Sequence, residues 1–155
     1  MLSNSLIRSS LAGVNVIGHG IDLVEVAELR RWIEDPRDPL IPRCFAQPEL
    51  DEIGDGPDRI ERLAGRFAAK EAVLKALGTG FGAGVAFTDV VIHRTPGAAP
   101  QVQLVGGAAK VAEALGVTDW RLSISHAGDL AMASALALGP TFTRTAPDFP
   151  KGRGM

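Results

Sequence analysis

Residues 60–78 place a charged side chain where a core residue belongs. The apolar residues of this segment recur with the 3.6-residue period of an α-helix, so the sequence predicts a long helix over about 58–77, ended by Gly78. On a helical wheel these residues fall within roughly a 100° arc of one another, and they are Ile60, Leu63, Ala64, Phe67 and Leu74. Glu71 lies near the middle of that arc and Lys75 lies at its edge. A carboxylate in such a position is costly to bury unless a cation or a metal ion compensates its charge.

Glu71 therefore has two interpretations at this point. It is a functional group, or it forms only an i,i+4 ion pair with Lys75 on the helix surface. A second carboxylate, Asp22, follows a predicted strand over 14–22 at a glycine-flanked turn, where an aspartate is either a helix N-cap or a functional group. If the two carboxylates converge, their oxygen atoms suit Mg²⁺, which keeps bound waters and takes substrate phosphates as further ligands.

The composition narrows the classes of function. A chain of 155 residues with 46% hydrophobic and 22% charged residues has the balance of one ordinary globular domain. The net charge of -2 provides no basic bulk for binding nucleic acid, and no apolar run reaches the length of a membrane span. The single cysteine, Cys44, excludes an intrachain disulfide and a cysteine-rich metal site, which fits a reducing cytoplasm. We therefore expect a cytoplasmic protein with no nucleic-acid or membrane partner.

The order of predicted elements indicates the fold class. We expect an N-terminal extension over 1–13, one domain over 14–139 and a C-terminal tail over 140–155 that is rich in Pro, Thr, Gly and basic residues. Within the domain the patterns predict strands at 14–22, 87–94, 101–105, 120–125 and 130–138, and helices at 23–33, 48–53, 58–77 and 107–115. Helices and strands do not alternate as in a doubly wound sheet, so the expected class is α+β. The long central helix should pack on a small, mainly antiparallel sheet.

Two further motifs suggest other chemistry and fail on inspection. The glycine-rich run 78–84 lacks the lysine of a phosphate-binding loop and follows a helix instead of preceding one, so it is better explained as a helix end and a loop. Ser125 and His126 are neighbours on a predicted strand, where adjacent side chains point to opposite faces, which disfavours a nucleophile–base pair. A histidine at a strand end beside hydroxyl groups suits hydrogen bonding to phosphate, and the alternative is an ordinary surface histidine.

Three stretches of the chain, in this order, carry a family resemblance. Residues 18–25 have the sequence Gly-His-Gly-Ile-Asp-Leu-Val-Glu, residues 63–80 contain the run Gly-Arg-Phe-Ala-Ala-Lys-Glu-Ala, and residues 123–126 are Ser-Ile-Ser-His. Together they resemble the opening, central and closing motifs of the bacterial holo-[acyl-carrier-protein] synthases, the small group of 4′-phosphopantetheinyl transferases. The resemblance covers about 14–138, and the central motif is long enough to be specific by itself.

The resemblance implies a fold and a reaction. The expected fold is the 4′-phosphopantetheinyl transferase-like α+β domain, assembled as a homotrimer with coenzyme A between subunits. The expected reaction moves 4′-phosphopantetheine from coenzyme A to a serine of apo acyl carrier protein, in a Mg²⁺-dependent step of fatty acid biosynthesis that leaves adenosine 3′,5′-bisphosphate. The alternatives are a coenzyme A-binding module without catalysis and a Mg²⁺-dependent nucleotide phosphatase.

The resemblance also assigns roles by position. Asp22 and Glu71 would hold Mg²⁺, and Lys75 would face the pyrophosphate of coenzyme A, which makes these three the expected catalytic residues. The other expected coenzyme A contacts are Arg66, Lys70, Pro100, Ser125 and His126. Among them, Arg66 and Lys70 are candidate phosphate contacts with plain surface exposure as the alternative, whereas Ser125 and His126 would lie at the nucleotide end from the neighbouring subunit.

Overall fold

A computed structural model describes residues 13–37, 39–80, 82 and 84–141 of the chain. The elements in chain order are β1 (Val14–Glu25), α1 (Val26–Glu34), α2 (Leu40–Cys44), α3 (Gln47–Ile53), α4 (Arg59–Leu77), β2 (Val90–His93), β3 (Gln101–Leu104), α5 (Gly106–Leu115), β4 (Asp119–Ala127) and β5 (Leu130–Pro140). The strands form an antiparallel three-stranded sheet in the order β1-β5-β4 and a separate antiparallel pair, β2-β3. The expected α+β class with small antiparallel sheets is confirmed.

Helix α4 forms the centre of the core. Thirteen of its nineteen residues are buried, and it packs against β1, β5, β4, β2 and the helices α1, α3 and α5. The wheel predicted one apolar face, but the helix is covered on nearly every side, because its five alanines and Gly65 let neighbouring elements approach closely. Gly78 ends the helix as predicted, with a φ of 72° that favours glycine.

Small residues allow the three-stranded sheet to lie directly on α4. On β5 the inward-facing positions are alanines, and Ala131, Ala133, Ala135 and Ala137 are all buried. On β1 the same role falls to glycines, because a Cβ atom on Gly20 would overlap the carbonyl oxygen of Ala72, and one on Gly18 would overlap that of Ala76. Two strand residues span about 6.7 Å and four helix residues span about 6 Å, so this contact repeats in step along both elements. The next inward-facing residue of β1 is Asp22.

Strand β1 is longer than the sequence predicts, which corrects two expectations. The predicted strand over 14–22 continues to Glu25, because pairing with β5 continues as far as Glu25 and Leu130. The helix predicted over 23–33 therefore begins only at Val26. Asp22 lies inside the strand, so the interpretation of Asp22 as a helix N-cap is wrong.

The strand predicted over 87–94 is also shorter than expected. Phe87–Asp89 forms a 3-10 turn, and the strand begins at Val90. The carboxylate of Asp89 accepts backbone N–H bonds from Ala86 at 3.2 Å, Gly107 at 3.0 Å and Ala108 at 3.3 Å, so it ties the turn to the start of α5.

The ends of the chain mostly lie outside the described residues. The predicted extension over 1–13 is described only at Gly13, and the predicted tail over 140–155 only at Pro140 and Thr141. The backbone N–H of Thr141 donates to the carbonyl of Gly13 at 2.9 Å, which extends the contact between the outer ends of β1 and β5. Within the described part of the chain, no helix has both the length and the apolar character that crossing a membrane requires.

Candidate active site

Asp22 and Lys75 meet where β1 lies against α4. The Asp22 side chain is 16% exposed, and its Oδ1 accepts a hydrogen bond from Lys75 Nζ at 2.8 Å. Lys75 Nζ also donates to the carbonyl of Ile21 at 3.0 Å, and the bond to Asp22 is the main cause that raises the pKa of Lys75. Lys75 therefore pairs with Asp22. The alternative surface pair between Lys75 and Glu71 is not formed within the described residues.

Glu71 is half-buried one turn before Lys75 on the same edge of α4. Burial raises the pKa of Glu71, the nearby charge of Asp22 raises it further, and Lys75 offsets part of the effect. The charge of Asp22 disfavours ionisation of Glu71, and Lys75 compensates only part of that effect, so a further cation is favoured here. Oxygen-only ligands of this kind fit Mg²⁺, which completes its shell with waters and substrate phosphates. No cluster of three or more potential metal ligands (His, Cys, Asp, Glu) occurs among the described residues.

Arg66 and His126 meet at a cavity of about 490 Å³ beside the first half of α4. His126 Nε2 lies 2.9 Å from the carbonyl oxygen of Glu61. Strand β4 can approach the helix here because Gly65 has no Cβ atom. A Cβ atom at this position would lie only 3.0 Å from the His126 ring. The other lining residues are Glu52, Asp58, Arg62, Arg94, Pro96 and Ile124. The cavity thus combines three arginines and a histidine with three acidic residues, Glu52, Asp58 and Glu61, and its cationic groups suit a phosphate-bearing ligand.

Two other expected coenzyme A contacts, Ser125 and Pro100, lie outside this cavity. Ser125 is exposed and points to the opposite face of the sheet from Ile124, in accord with the alternation of the strand. Pro100 lines a different cavity, of about 570 Å³, together with Trp120, Arg121 and Ser123. Within this one chain, the structure therefore brings Arg66 and His126 together but separates both from Pro100.

The structure corrects the expected role of Lys70. Its side chain is 0% exposed, and Nζ lies 2.7 Å from Oε2 of Glu49, which is equally buried. Lys70 Nζ also donates to the carbonyl of Phe87 at 3.0 Å and to that of Val90. Burial lowers the pKa of Lys70 although the Glu49 charge opposes that effect. Lys70 is therefore neither a phosphate contact nor a surface cation. Its ammonium group has three hydrogen-bond partners inside the core.

Arg66 is also more buried than expected, yet it reaches the cavity. Its side chain is 6% exposed, with Nη2 donating to Glu52 Oε2 at 3.0 Å and Nε donating to the carbonyl of Ile92 at 3.3 Å. An arginine has five N–H groups. Among the described residues, Arg66 donates two of them, to Glu52 and to the carbonyl of Ile92. Arg66 thus keeps hydrogen-bonding capacity for a ligand.

Comparison with known proteins identifies the family. The sequence profile described as the 4′-phosphopantetheinyl transferase superfamily (ACPS) matches residues 18–133. The chain belongs to this superfamily. It is 46% identical over 126 residues to the holo-[acyl-carrier-protein] synthase of Desulforudis audaxviator, a match that covers 81% of this chain and 95% of that protein. It is 39% identical over 122 residues to the synthase of Hydrogenovibrio crunogenus, covering 79% of this chain and 96% of the relative.

Solved structures of phosphopantetheinyl transferases are similar as well. The holo-[acyl-carrier-protein] synthase of Neisseria meningitidis superposes with a TM-score of 0.71 at 31% identity, covering 79% of this chain and 98% of that one. The Helicobacter pylori synthase, solved in complex with coenzyme A, gives a TM-score of 0.66 at 28% identity and covers 77% of this chain and 98% of its own. The family resemblance inferred from the three sequence motifs is confirmed.

Sequence reasoning missed three residues of this transferase that pair with expected site residues or line the cavity. Glu49 neutralises Lys70, Glu52 binds Arg66, and Arg94 lines the cavity. The Glu49 carboxylate accepts the N–H of Ala46 at 2.9 Å as in a capping box, but an alanine at the N-cap gives no sequence signal for one. Glu52 and Arg66 are fourteen residues apart on different helices. No periodicity in the sequence joins them.

Proposed function

We propose that this protein is a holo-[acyl-carrier-protein] synthase. It transfers 4′-phosphopantetheine from coenzyme A to a serine of apo acyl carrier protein and releases adenosine 3′,5′-bisphosphate. The observation that carries the proposal is the meeting of Asp22, Glu71 and Lys75 at the contact of β1 with α4. Relatives that bear this name match nearly their full length, and the Helicobacter pylori structure contains coenzyme A.

In the proposed mechanism, Asp22 and Glu71 would hold Mg²⁺ through their carboxylate oxygens. When bound, Mg²⁺ would neutralise charge on the pyrophosphate of coenzyme A. Lys75 donates to Asp22 in the structure. With both carboxylates engaged as metal ligands, its ammonium group would be free to donate to the phosphate oxygens of coenzyme A.

The transfer itself exchanges one phosphorus–oxygen bond for another. The carrier serine oxygen forms a bond to the β-phosphorus of coenzyme A, and the bond from that phosphorus to the bridging oxygen breaks. The serine proton leaves to solvent, and adenosine 3′,5′-bisphosphate departs with the electron pair of the broken bond. Lys75 stabilises the negative charge that develops on the departing oxygen, which is the main task of a protein in phosphoryl transfer.

The other coenzyme A contacts that we propose are Arg66, Pro100, Ser125 and His126. Arg66 and His126 would bind phosphate at the cavity they share, while Pro100 would border the adenine. Because Ser125 and Pro100 lie away from that cavity in one chain, we infer that a second copy would complete the site, as the resemblance implies.

We further propose a cytoplasmic homotrimer. The sheet face opposite α4 exposes large apolar side chains, among them Ile21, Leu23, Leu130 and Met132. A patch of this kind on a globular domain is the property expected of a subunit interface. Arg30 and Arg31 on α1 are exposed cations available to an acidic carrier protein. A sizing measurement checks the assembly, and a monomer that retains full activity would contradict it.

The test of the proposed function is the intact mass of an apo acyl carrier protein incubated with this protein, coenzyme A and Mg²⁺. A gain equal to one phosphopantetheine group, absent when the carrier serine is replaced by alanine, would establish the transferase. Binding of coenzyme A without a mass gain would favour a non-catalytic module. Release of inorganic phosphate without carrier would favour a phosphatase.

A further inference from the structure

Glu52 is the common partner of three groups, one on α4 and two at the end of β2. Its Oε2 accepts hydrogen bonds from Arg66 Nη2 on α4 and from the backbone N–H of Arg94, both at 3.0 Å. Its Oε1 lies 2.7 Å from Nδ1 of His93 at the end of β2. The far side of the His93 ring is held as well, with Nε2 at 2.8 Å from Gln103 Oε1 on β3. One carboxylate thus joins α3, α4 and the β2-β3 pair.

These contacts converge on the cavity that contains His126. Glu52, Arg66 and Arg94 all line it, and the backbone of Arg94 leads to Pro96 on the same wall. Burial raises the pKa of Glu52, but the hydrogen bonds from His93, the Arg94 backbone and Arg66 outweigh that effect and lower it. Glu52 is therefore a charged acceptor at neutral pH, and it sets the direction in which the Arg66 guanidinium points.

We propose that Glu52 is a positioning residue of the coenzyme A site, which holds Arg66 and the Arg94 segment in the geometry that receives a phosphate group beside His126. This inference rests on the proposed function, since it assumes that coenzyme A occupies the cavity. Glu52 does not touch the ligand in this account. It acts through Arg66, which has unused donors on the cavity side.

Charge and geometry make opposite predictions for the removal of Glu52. A carboxylate in an anion site repels the ligand, so simple electrostatics predicts tighter coenzyme A binding when it is lost. Positioning predicts weaker binding, because Arg66 loses the acceptor that orients it and the Arg94 segment loses an anchor. The sign of the change in KM therefore decides between the two effects.

A control residue with the same charge lies in the same cavity. Glu61 lines the wall near His126, its side chain is exposed, and it makes no hydrogen bond to Arg66 within the described residues. Glu61→Ala removes one negative charge from the cavity and leaves the Glu52 contacts intact. We expect the KM for coenzyme A to stay unchanged or to fall in this control.

The experiment measures kcat and KM for coenzyme A at saturating apo carrier protein in the wild type, Glu52→Ala, Glu52→Gln and Glu61→Ala. We expect Glu52→Ala to raise KM roughly tenfold with little change in kcat, as befits the loss of a charge-assisted contact in ground-state binding. Glu52→Gln should lie between Glu52→Ala and the wild type, because its amide oxygen still accepts an N–H bond. Thermal melting of each variant separates this effect from loss of the fold, and Glu52→Gln carries the test if Glu52→Ala does not fold.

A comparison ligand identifies the phosphate that Arg66 receives. Dephospho-coenzyme A lacks the 3′-phosphate, so a KM rise confined to coenzyme A would assign the cavity to that group, and an equal rise with both ligands would assign it to the pyrophosphate. Unchanged or lower KM in Glu52→Ala and Glu52→Gln would overturn the inference, as would a fall in kcat alone. Failure of the proposed function is distinguishable, because the wild type would then transfer nothing to the carrier.

Discussion

Replacement of Lys70 by methionine should destabilise the protein severely without any direct effect on the site. The substitution keeps a long apolar side chain but removes the ammonium group that bonds Glu49 and the carbonyls of Phe87 and Val90. The Glu49 carboxylate would remain buried, and its donors among the described residues would be the N–H groups of Ala46 at 2.9 Å and Ile92 at 3.1 Å. Loss of one partner from a buried ion pair costs about 3–5 kcal/mol.

This magnitude converts into a measurable shift of the melting temperature. A folded part of about 130 residues has an unfolding entropy of about 0.27 kcal/mol/K, so a loss of 3–5 kcal/mol lowers Tm by ~11–18 °C. Circular dichroism during thermal unfolding measures the shift. Lys110→Met is the matched control, because Lys110 is exposed on α5 and makes no hydrogen bond or ion pair within the described residues. We expect its Tm to change little.

The double variant separates the pair from its surroundings. Glu49→Leu combined with Lys70→Met removes both charges, so its loss of stability should be smaller than the sum of the two single losses. Two results would refute the reasoning. One is a Lys70→Met protein that melts like the Lys110→Met control. The other is a variant with normal stability and lost affinity for coenzyme A, which would return Lys70 to the role of a phosphate contact.

Three further outcomes are expected. Glu71→Gln should abolish transfer yet stabilise the metal-free protein near neutral pH by at most about 0.5 kcal/mol, or roughly 2 °C in Tm, because water screens the charge of this half-exposed carboxylate. The sign follows from the raised pKa of Glu71, because the folded state binds the carboxyl proton of Glu71 more tightly than the unfolded state does. The wild type therefore loses stability as the pH rises from 4.5, the ordinary pKa of a glutamate, through the pKa of Glu71 in the folded state. Gly20→Ala should lower the free energy of unfolding in urea by about 3 kcal/mol, because its Cβ would overlap the Ala72 carbonyl and force β1 away from α4. Lys75→Ala should lower kcat far more than it raises KM for coenzyme A, since Lys75 acts on the charge of the transition state.

Each of these outcomes has a clear opposite. A lower Tm for metal-free Glu71→Gln would mean that the carboxylate stabilises the fold without a metal. Normal stability of Gly20→Ala would show that β1 does not depend on the close approach. Intact kcat with a raised KM in Lys75→Ala would make Lys75 a binding cation only.

The two carboxylates that we propose as metal ligands were open to prediction from the sequence. Glu71 stands on an apolar arc, so it is visible in the sequence as a charge in a costly position, whereas Asp22 is singled out by the Gly-x-Gly-x-Asp run of the family resemblance. The reason for the glycines at 18 and 20 could not be inferred from the sequence. Gly18 and Gly20 are required because β1 rests on the carbonyls of α4, which only the packed structure reveals.

The errors arise where tertiary contacts override local patterns. Asp22 resembles a helix cap by its neighbours, but pairing with β5 extends β1 beyond it. Lys70 resembles a surface cation in a basic helix, but Glu49 is supplied from α3, twenty-one positions earlier, and the pair enters the core together. The same holds for Glu52 and Arg66. A helical wheel describes one helix against an average surface and contains no information about charged partners from other elements.

The central claim is that Asp22 and Glu71 together hold the divalent cation on which transfer depends. The most direct test is the rate of carrier modification as a function of Mg²⁺ concentration, for the wild type, Asp22→Asn, Glu71→Gln and the exposed α5 control Glu113→Gln. We expect a saturable dependence on Mg²⁺ for the wild type and the control, and no transfer at any Mg²⁺ concentration for the two site variants, each with a cooperative melting transition that shows it is folded. Undiminished transfer by both site variants would contradict it.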